Sequence, residues 1–168
     1  MGSVVGQLKE VLNGVYFGKS TSCKGEDVYR GYVVTLTDPA RLSVTQIDMR
    51  LTPNPEAALT ARRCLHRLGT VLPSEKLEEV RLVVSELVTN SVRHAGLSPD
   101  EQISLTVVIS DGSVRGRVCD PGPGFEKPSE PRPRTDLSGG WGLPILERIS
   151  DRWGVERNGC ACVWFEID

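Results

Sequence analysis

Aromatic residues are scarce in this chain of 168 residues, at 5% (three Trp, three Tyr and three Phe), and only two histidines are present. So few rings leave little for a base-stacking nucleic-acid platform, and two histidines cannot build a histidine-rich metal centre. A basic surplus is also missing. Twenty Lys and Arg against 22 Asp and Glu leave a net charge of −2, which argues against a protein that holds phosphate backbones by counterion release. No apolar run approaches the roughly 20 residues of a membrane-spanning helix. The start, MGSVVGQLKEVLNGVYF, lacks a basic n-region, a long apolar block and a small-residue cleavage site, so no signal peptide is expected. Cysteines number five (Cys23, Cys64, Cys119, Cys160, Cys162), an odd and scattered set that predicts reduced thiols in a cytoplasm. Cys160 and Cys162 form a CxC pair without a second pair, weak grounds for a metal site. No internal repeat is visible.

What remains has the composition of a soluble globular domain, 39% hydrophobic and 25% charged. Residues 1–40 are hardest to read. VVGQLKEVLNGVYF fits a short amphipathic helix, KSTSCKGED is polar, and TDPA is a turn. They are expected to be an N-terminal extension, partly disordered, carrying a docking segment or else lying upstream of the true start. From residue 41 onward one domain is expected. LSVTQIDMRL alternates as a half-buried strand does. Asn54 before Pro55 predicts a capped helix whose apolar face is Ala57, Ala61, Cys64, Leu65 and Leu68. Ser74 is placed to cap a second helix with Leu77, Val80, Val84, Leu87, Val88 and Ser91 inward. Strands QISLTVVIS and SVRGRVCD flank the hairpin signal Asp111-Gly112. A loop rich in proline, glycine and charge precedes a helix over GLPILERISDRW and a final strand pair ending in CACVWFEID. The fold class is α+β, a two-layer α/β sandwich with a mostly antiparallel sheet covered on one face by helices.

Three stretches carry chemistry. In SELVTNSVRHA, Glu86, Asn90 and His94 follow an i, i+4, i+8 spacing, and Glu86 and Asn90 project from nearly one side of a helix with Arg93 a turn later. A carboxylate and an amide oxygen so placed suit a hydrated Mg²⁺, or a carboxylate acting as general base. The plainer alternative is a solvated stripe, with Arg93 and His94 favoured at a helix C-terminus. In CDPGPGF, Asp120 ends a strand and Gly122 and Gly124 follow. The carboxylate can accept from an exocyclic amine while the glycines admit a flat ring, although Asp, Pro and Gly also make ordinary turns. In SGGWGL, glycines open a helix whose free N–H groups and dipole favour phosphate. Alone, that pattern equally marks a simple helix entry.

Taken in order, the three stretches resemble the nucleotide-binding fold of histidine kinases, gyrase, Hsp90 and MutL, and within it the bacterial anti-sigma-factor serine/threonine kinases. SELVTNSVRHA is similar to that family's N box, DPGPGF to its first glycine box, and GGWGLPIL to its second. The resemblance covers about residues 42–168 and implies a histidine-kinase-like ATPase fold that binds ATP and Mg²⁺. By resemblance, Glu86 is the general base and Asn90 the magnesium ligand, with Arg93 in the nucleotide-binding set. Asp120 bonds the adenine amino group above Gly122 and Gly124. Gly140, Gly142 and Leu143 reach the phosphates, and residues 121–139 form an ATP lid. The implied partners are a STAS-type anti-anti-sigma protein, phosphorylated on serine, and a sigma factor; dimerisation is common in the family. Two departures stand out. Leu137 and Ser138 occupy a place where relatives often carry a basic residue, leaving Arg132 or Arg134 as lid cations. NGCACV replaces the usual Gly-Thr of the last strand. These departures leave a non-catalytic, nucleotide-gated binding module as the alternative.

Overall fold

Strand β3 (Arg41–Leu51) shows why a sheet forms here: Thr45, Ile47, Met49 and Leu51 are buried, and Arg50 is exposed on the other side. A period of two puts alternate side chains on opposite faces, so one face becomes core. Strand β4 (Ile103–Ser110) repeats the pattern with Ile103, Leu105, Val107 and Ile109 buried, and β5 (Ser113–Asp120) buries Val114, Gly116, Val118 and Asp120. Between them Asp111 and Gly112 both have positive φ, 52° and 83°, the left-handed pair that a two-residue hairpin turn demands. The computed structural model describes residues 15–17, 32–38, 41–125, 142–157 and 159–168.

Among these, with β1 (Val15–Phe17), β2 (Tyr32–Asp38), β6 (Arg152–Arg157) and β7 (Ala161–Ile167), seven strands form one sheet in the order β1-β2-β3-β4-β5-β7-β6, with every pairing antiparallel. Strand β6 is an edge, and β7 lies between it and β5. Helix α1 (Ala57–Leu65), a 3₁₀ turn (His66–Thr70), α2 (Ser74–His94) and α3 (Gly142–Ile149) supply the second layer. Helix α2 is central: it packs on α1, on α3, and on strands β5 and β7. Its inward residues Leu77, Val80, Val84, Leu87, Val88 and Ser91 are all buried, as their spacing predicts. The expected α+β sandwich, an antiparallel sheet under helices, is the observed fold.

Four local expectations change. Val15–Phe17 is strand β1 rather than part of a helix, and Tyr32–Asp38 is strand β2, paired with β3 from Asp38↔Arg41 to Tyr32↔Asp48. Part of the expected extension therefore belongs to the sheet; the rest of residues 1–40 lies outside the described residues. The last helix stops at Ile149, not Trp153, because Asp151 N–H already donates to the Glu166 carbonyl at 2.9 Å and the chain turns into β6. Asn54 does not cap a helix. It holds a turn by accepting from Glu56 N–H at 2.9 Å, and α1 begins at Ala57; likewise Ser74 makes no capping bond. Finally, Cys119 and Cys162 are joined by a disulfide, contrary to the expected reduced set. The two residues are direct partners across β5 and β7, a proximity their separation of 43 residues conceals.

Gly116 faces Phe165 across the same strand pair, and a Cβ at 116 would fall within the Phe165 ring. Phe165 is fully buried, so the ring has no room to retreat. Gly116→Val is expected to destabilise the fold by about 1–3 kcal/mol through overpacking, read as a lower urea midpoint with unchanged slope.

Candidate functional site

The first two chemical stretches meet where Ser91 reaches Asp120 and Gly122 lies against Ala95, at the C-terminal end of α2. Glu86 and Asn90 are half-buried on its flank, about 40° apart by helical rotation, while Arg93 and His94 are exposed in its last turn. Among the described residues, neither the Glu86 carboxylate nor the Asn90 amide has a hydrogen-bonding or ionic partner. Both side chains are thus open to solvent or to a ligand. Ser91 lies about 100° round the helix and points inward. Its hydroxyl donates to Asp120 Oδ2 at 2.6 Å in a buried bond that ties α2 to the end of β5.

Asp120 is itself only 9% exposed. Its other oxygen, Oδ1, accepts from the Gly122 N–H at 2.9 Å, which turns the chain back beneath the carboxylate. Both carboxylate oxygens are thus fixed by one donor each, and each keeps a lone-pair direction for a further donor. The glycines are set by contact. A Cβ at Gly122 would lie 2.6 Å from the Ala95 Cβ and 2.7 Å from its carbonyl oxygen, because the loop presses on the end of α2. Gly124 has φ of 68°, and a Cβ there would stand 2.8 Å from the Ala161 Cβ at the start of β7. Any side chain at either position would lift the loop from its bed.

Helix α3 opens at Gly142 and lies against α2; Leu143 is half-buried against the core and Leu146 is fully buried. Among the described elements α3 packs on α2 and on β6. Gly140, Arg132, Arg134 and the lid beyond Phe125 fall outside the described residues. The structure thus joins Ser91 to Asp120 and sets Gly122 against Ala95 and Gly124 against Ala161; Glu86 and Asn90 are half-buried on the same helix as Ser91, and Arg93 and His94 are on the surface. His94 sits where a helix C-terminus favours a cation, which accounts for it without a ligand.

Three contributors escaped the sequence reading. Ser91 was expected only to face inward, yet it is the donor that fixes Asp120. The signal was a lone hydroxyl in a row of Leu and Val, which needs a buried acceptor. Ala95 and Ala161 are the small surfaces against which the two glycines close, and nothing in their surroundings in the sequence marks them. The donor set suits a hard cation: an amide oxygen and a carboxylate, without thiolate or imidazole, fit Mg²⁺ with most of its waters retained.

The fold is thus an antiparallel sheet with helices packed on it, and a buried carboxylate at the end of β5 is tied to α2. The profile of the family described as "Histidine kinase-like ATPase domain" matches residues 51–167, and the chain belongs to that family. Similar proteins include the anti-sigma F factor of Geobacillus stearothermophilus, 35% identical over 91 residues, covering 49% of this chain and 62% of that protein. The serine-protein kinase RsbW of Listeria monocytogenes serotype 4a (strain HCC23) is 28% identical over 119 residues, covering 63% of this chain and 76% of that protein. The chain spans only about three-fifths of the anti-sigma F factors it matches. The crystal structure of the RsbU and RsbW domains of Rv1364c from Mycobacterium tuberculosis shares the fold, with a TM-score of 0.56 at 20% identity over 73% of this chain and 32% of that one. Among the described residues, no helix is long and apolar enough to cross a membrane.

Proposed function

We propose that this chain binds ATP with Mg²⁺ and acts as an anti-sigma factor with serine/threonine-protein kinase activity. Its substrate would be a serine of a STAS-type anti-anti-sigma protein, and it would sequester a sigma factor in the cytoplasm, working as a homodimer. Residues 41–168 form the ATPase domain in this reading, with the lid at 121–139. The observation that carries it is the buried Asp120 carboxylate, locked by Ser91 and Gly122 N–H at the helix that also carries half-buried Glu86 and Asn90.

Asp120 would accept a hydrogen bond from the adenine amino group, with Gly122 and Gly124 flat enough to admit the ring. Guanine presents a carbonyl at that position, which a carboxylate repels, so adenine is selected. Asn90 would hold Mg²⁺ through its amide oxygen. When bound, the ion neutralises phosphate charge during transfer. Glu86, a turn away, would accept the proton of the attacking serine hydroxyl. The start of α3, with Gly140, Gly142 and Leu143, would present backbone N–H groups to the phosphates, and Arg93 would add charge at the rim. Phosphoryl transfer asks a protein mainly for such positioning and charge compensation.

The test is to incubate the chain with γ-labelled ATP, Mg²⁺ and purified STAS-type proteins. Label on a serine of one of them supports the kinase. Nucleotide binding without transfer to any would instead favour the non-catalytic, nucleotide-gated module, a reading kept open by Ala161, which offers no hydroxyl beside Gly124.

A further inference from the structure

Three sulfurs gather on the far side of the sheet from the helices. Asp120 points to α2, so its neighbour Cys119 points away, and its partner Cys162 does the same. The Cys119–Cys162 disulfide joins β5 to β7 one residue from Asp120 on the first strand and one from Ala161 on the second. Cys160 occupies the turn between β6 and β7, after Gly159 with φ of 78°, and its Sγ lies 3.5 Å from Cys162 Sγ. The three sulfurs all fall within 4.8 Å of one another.

We propose that these residues form a thiol–disulfide exchange site in which Cys160 is the nucleophile that opens the Cys119–Cys162 bond. Accessibility is the reason a third cysteine matters. Cys162 is 1% exposed, so a thiol in solution meets the bond only at half-buried Cys119, whereas Cys160 already touches the Cys162 sulfur and is held there by the chain. Exchange needs a thiolate close to the sulfur it attacks. Cys160 loses its proton to solvent and attacks Cys162 Sγ. The Cys160–Cys162 bond forms, the Cys119–Cys162 bond breaks, and Cys119 leaves as a thiolate that takes up a proton. No net oxidation or reduction occurs. The new bond has its Cys160 end at the surface turn, where an external dithiol can attack: a mixed disulfide forms at Cys160, Cys162 leaves as a thiolate, and the dithiol's second sulfur closes on its first to release Cys160 as a thiol. Two electrons pass from the dithiol to the disulfide.

A thiophilic metal fits this cluster less well. Among the described residues it offers three ligands and no fourth, and two of the three are bonded to each other. The inference does not depend on nucleotide binding.

Two variants of the full chain test it, with disulfides mapped by alkylation and mass spectrometry. Cys160→Ala should keep the Cys119–Cys162 bond but slow its reduction by dithiothreitol at least about tenfold, since the intramolecular nucleophile is gone. Cys119→Ser, treated with oxidised glutathione, should close a Cys160–Cys162 bond. Reduction of Cys160→Ala at the wild-type rate, or a Cys119→Ser protein that never links 160 to 162, would overturn the proposal. So would a wild-type protein isolated with the three thiols on one zinc ion and no disulfide.

Discussion

Asp120→Asn is expected to weaken ATP binding roughly ten- to a hundredfold and to narrow the preference for ATP over GTP. Gly122 N–H can only donate, so the new amide must turn its one oxygen toward it. The NH₂ group then occupies the place of Oδ2. Ser91 can adapt, because a hydroxyl rotates and accepts as readily as it donates. An adenine amino group bonded at the Oδ2 position cannot, and there donor would face donor. A hydrogen bond to a charged group contributes about 1.5–3 kcal/mol, which corresponds to that range of affinity. Calorimetric titration with ATP and GTP provides the readout. General loosening of the fold would weaken both nucleotides alike, whereas loss of the carboxylate's role changes their ratio. Unchanged ATP affinity in Asp120→Asn would remove the carboxylate from the site.

The second large effect falls on rate. In Glu86→Ala, phosphoryl transfer should drop about a hundred- to ten-thousandfold, the usual contribution of a positioned proton acceptor, with ATP affinity little changed. Glu86 is half-buried with no partner among the described residues, so its removal strands no buried donor and opens no void in the core. Label transfer by the variant at the wild-type rate would take Glu86 out of the chemistry. A parallel loss of binding and transfer would make it a nucleotide contact instead.

Much of this architecture was legible because it is periodic. The alternation in β3 and β4, the inward row of α2 and the Asp111-Gly112 turn each follow from repeats of 2 or 3.6 residues or from a single backbone requirement. The outline of the site came from resemblance in three boxes, and physical reading alone left each of them balanced against a simpler explanation. What stayed hidden depends on register between distant segments. That Cys119 opposes Cys162, that Ser91 reaches Asp120, and that Gly122 closes on Ala95 all follow from how α2 and β7 meet β5. The helix ends were misjudged for a related reason. Pairing of Asp151 with Glu166 outweighs the local helical pattern beyond Ile149, and Asn54 is committed to a turn of its own. Strand β2 escaped because its partner β3 was read without neighbours, although the Asp-Pro-Ala turn between them was visible.

In the proposed function the Asp120 carboxylate and the Glu86–Asn90 pair belong to one nucleotide site, and titration of Mg–ATP into the intact chain tests this most directly. One saturable site is expected per chain, with ATP preferred to GTP and the preference diminished in Asp120→Asn. Absence of any ATP or ADP binding by the unmodified chain would contradict the account.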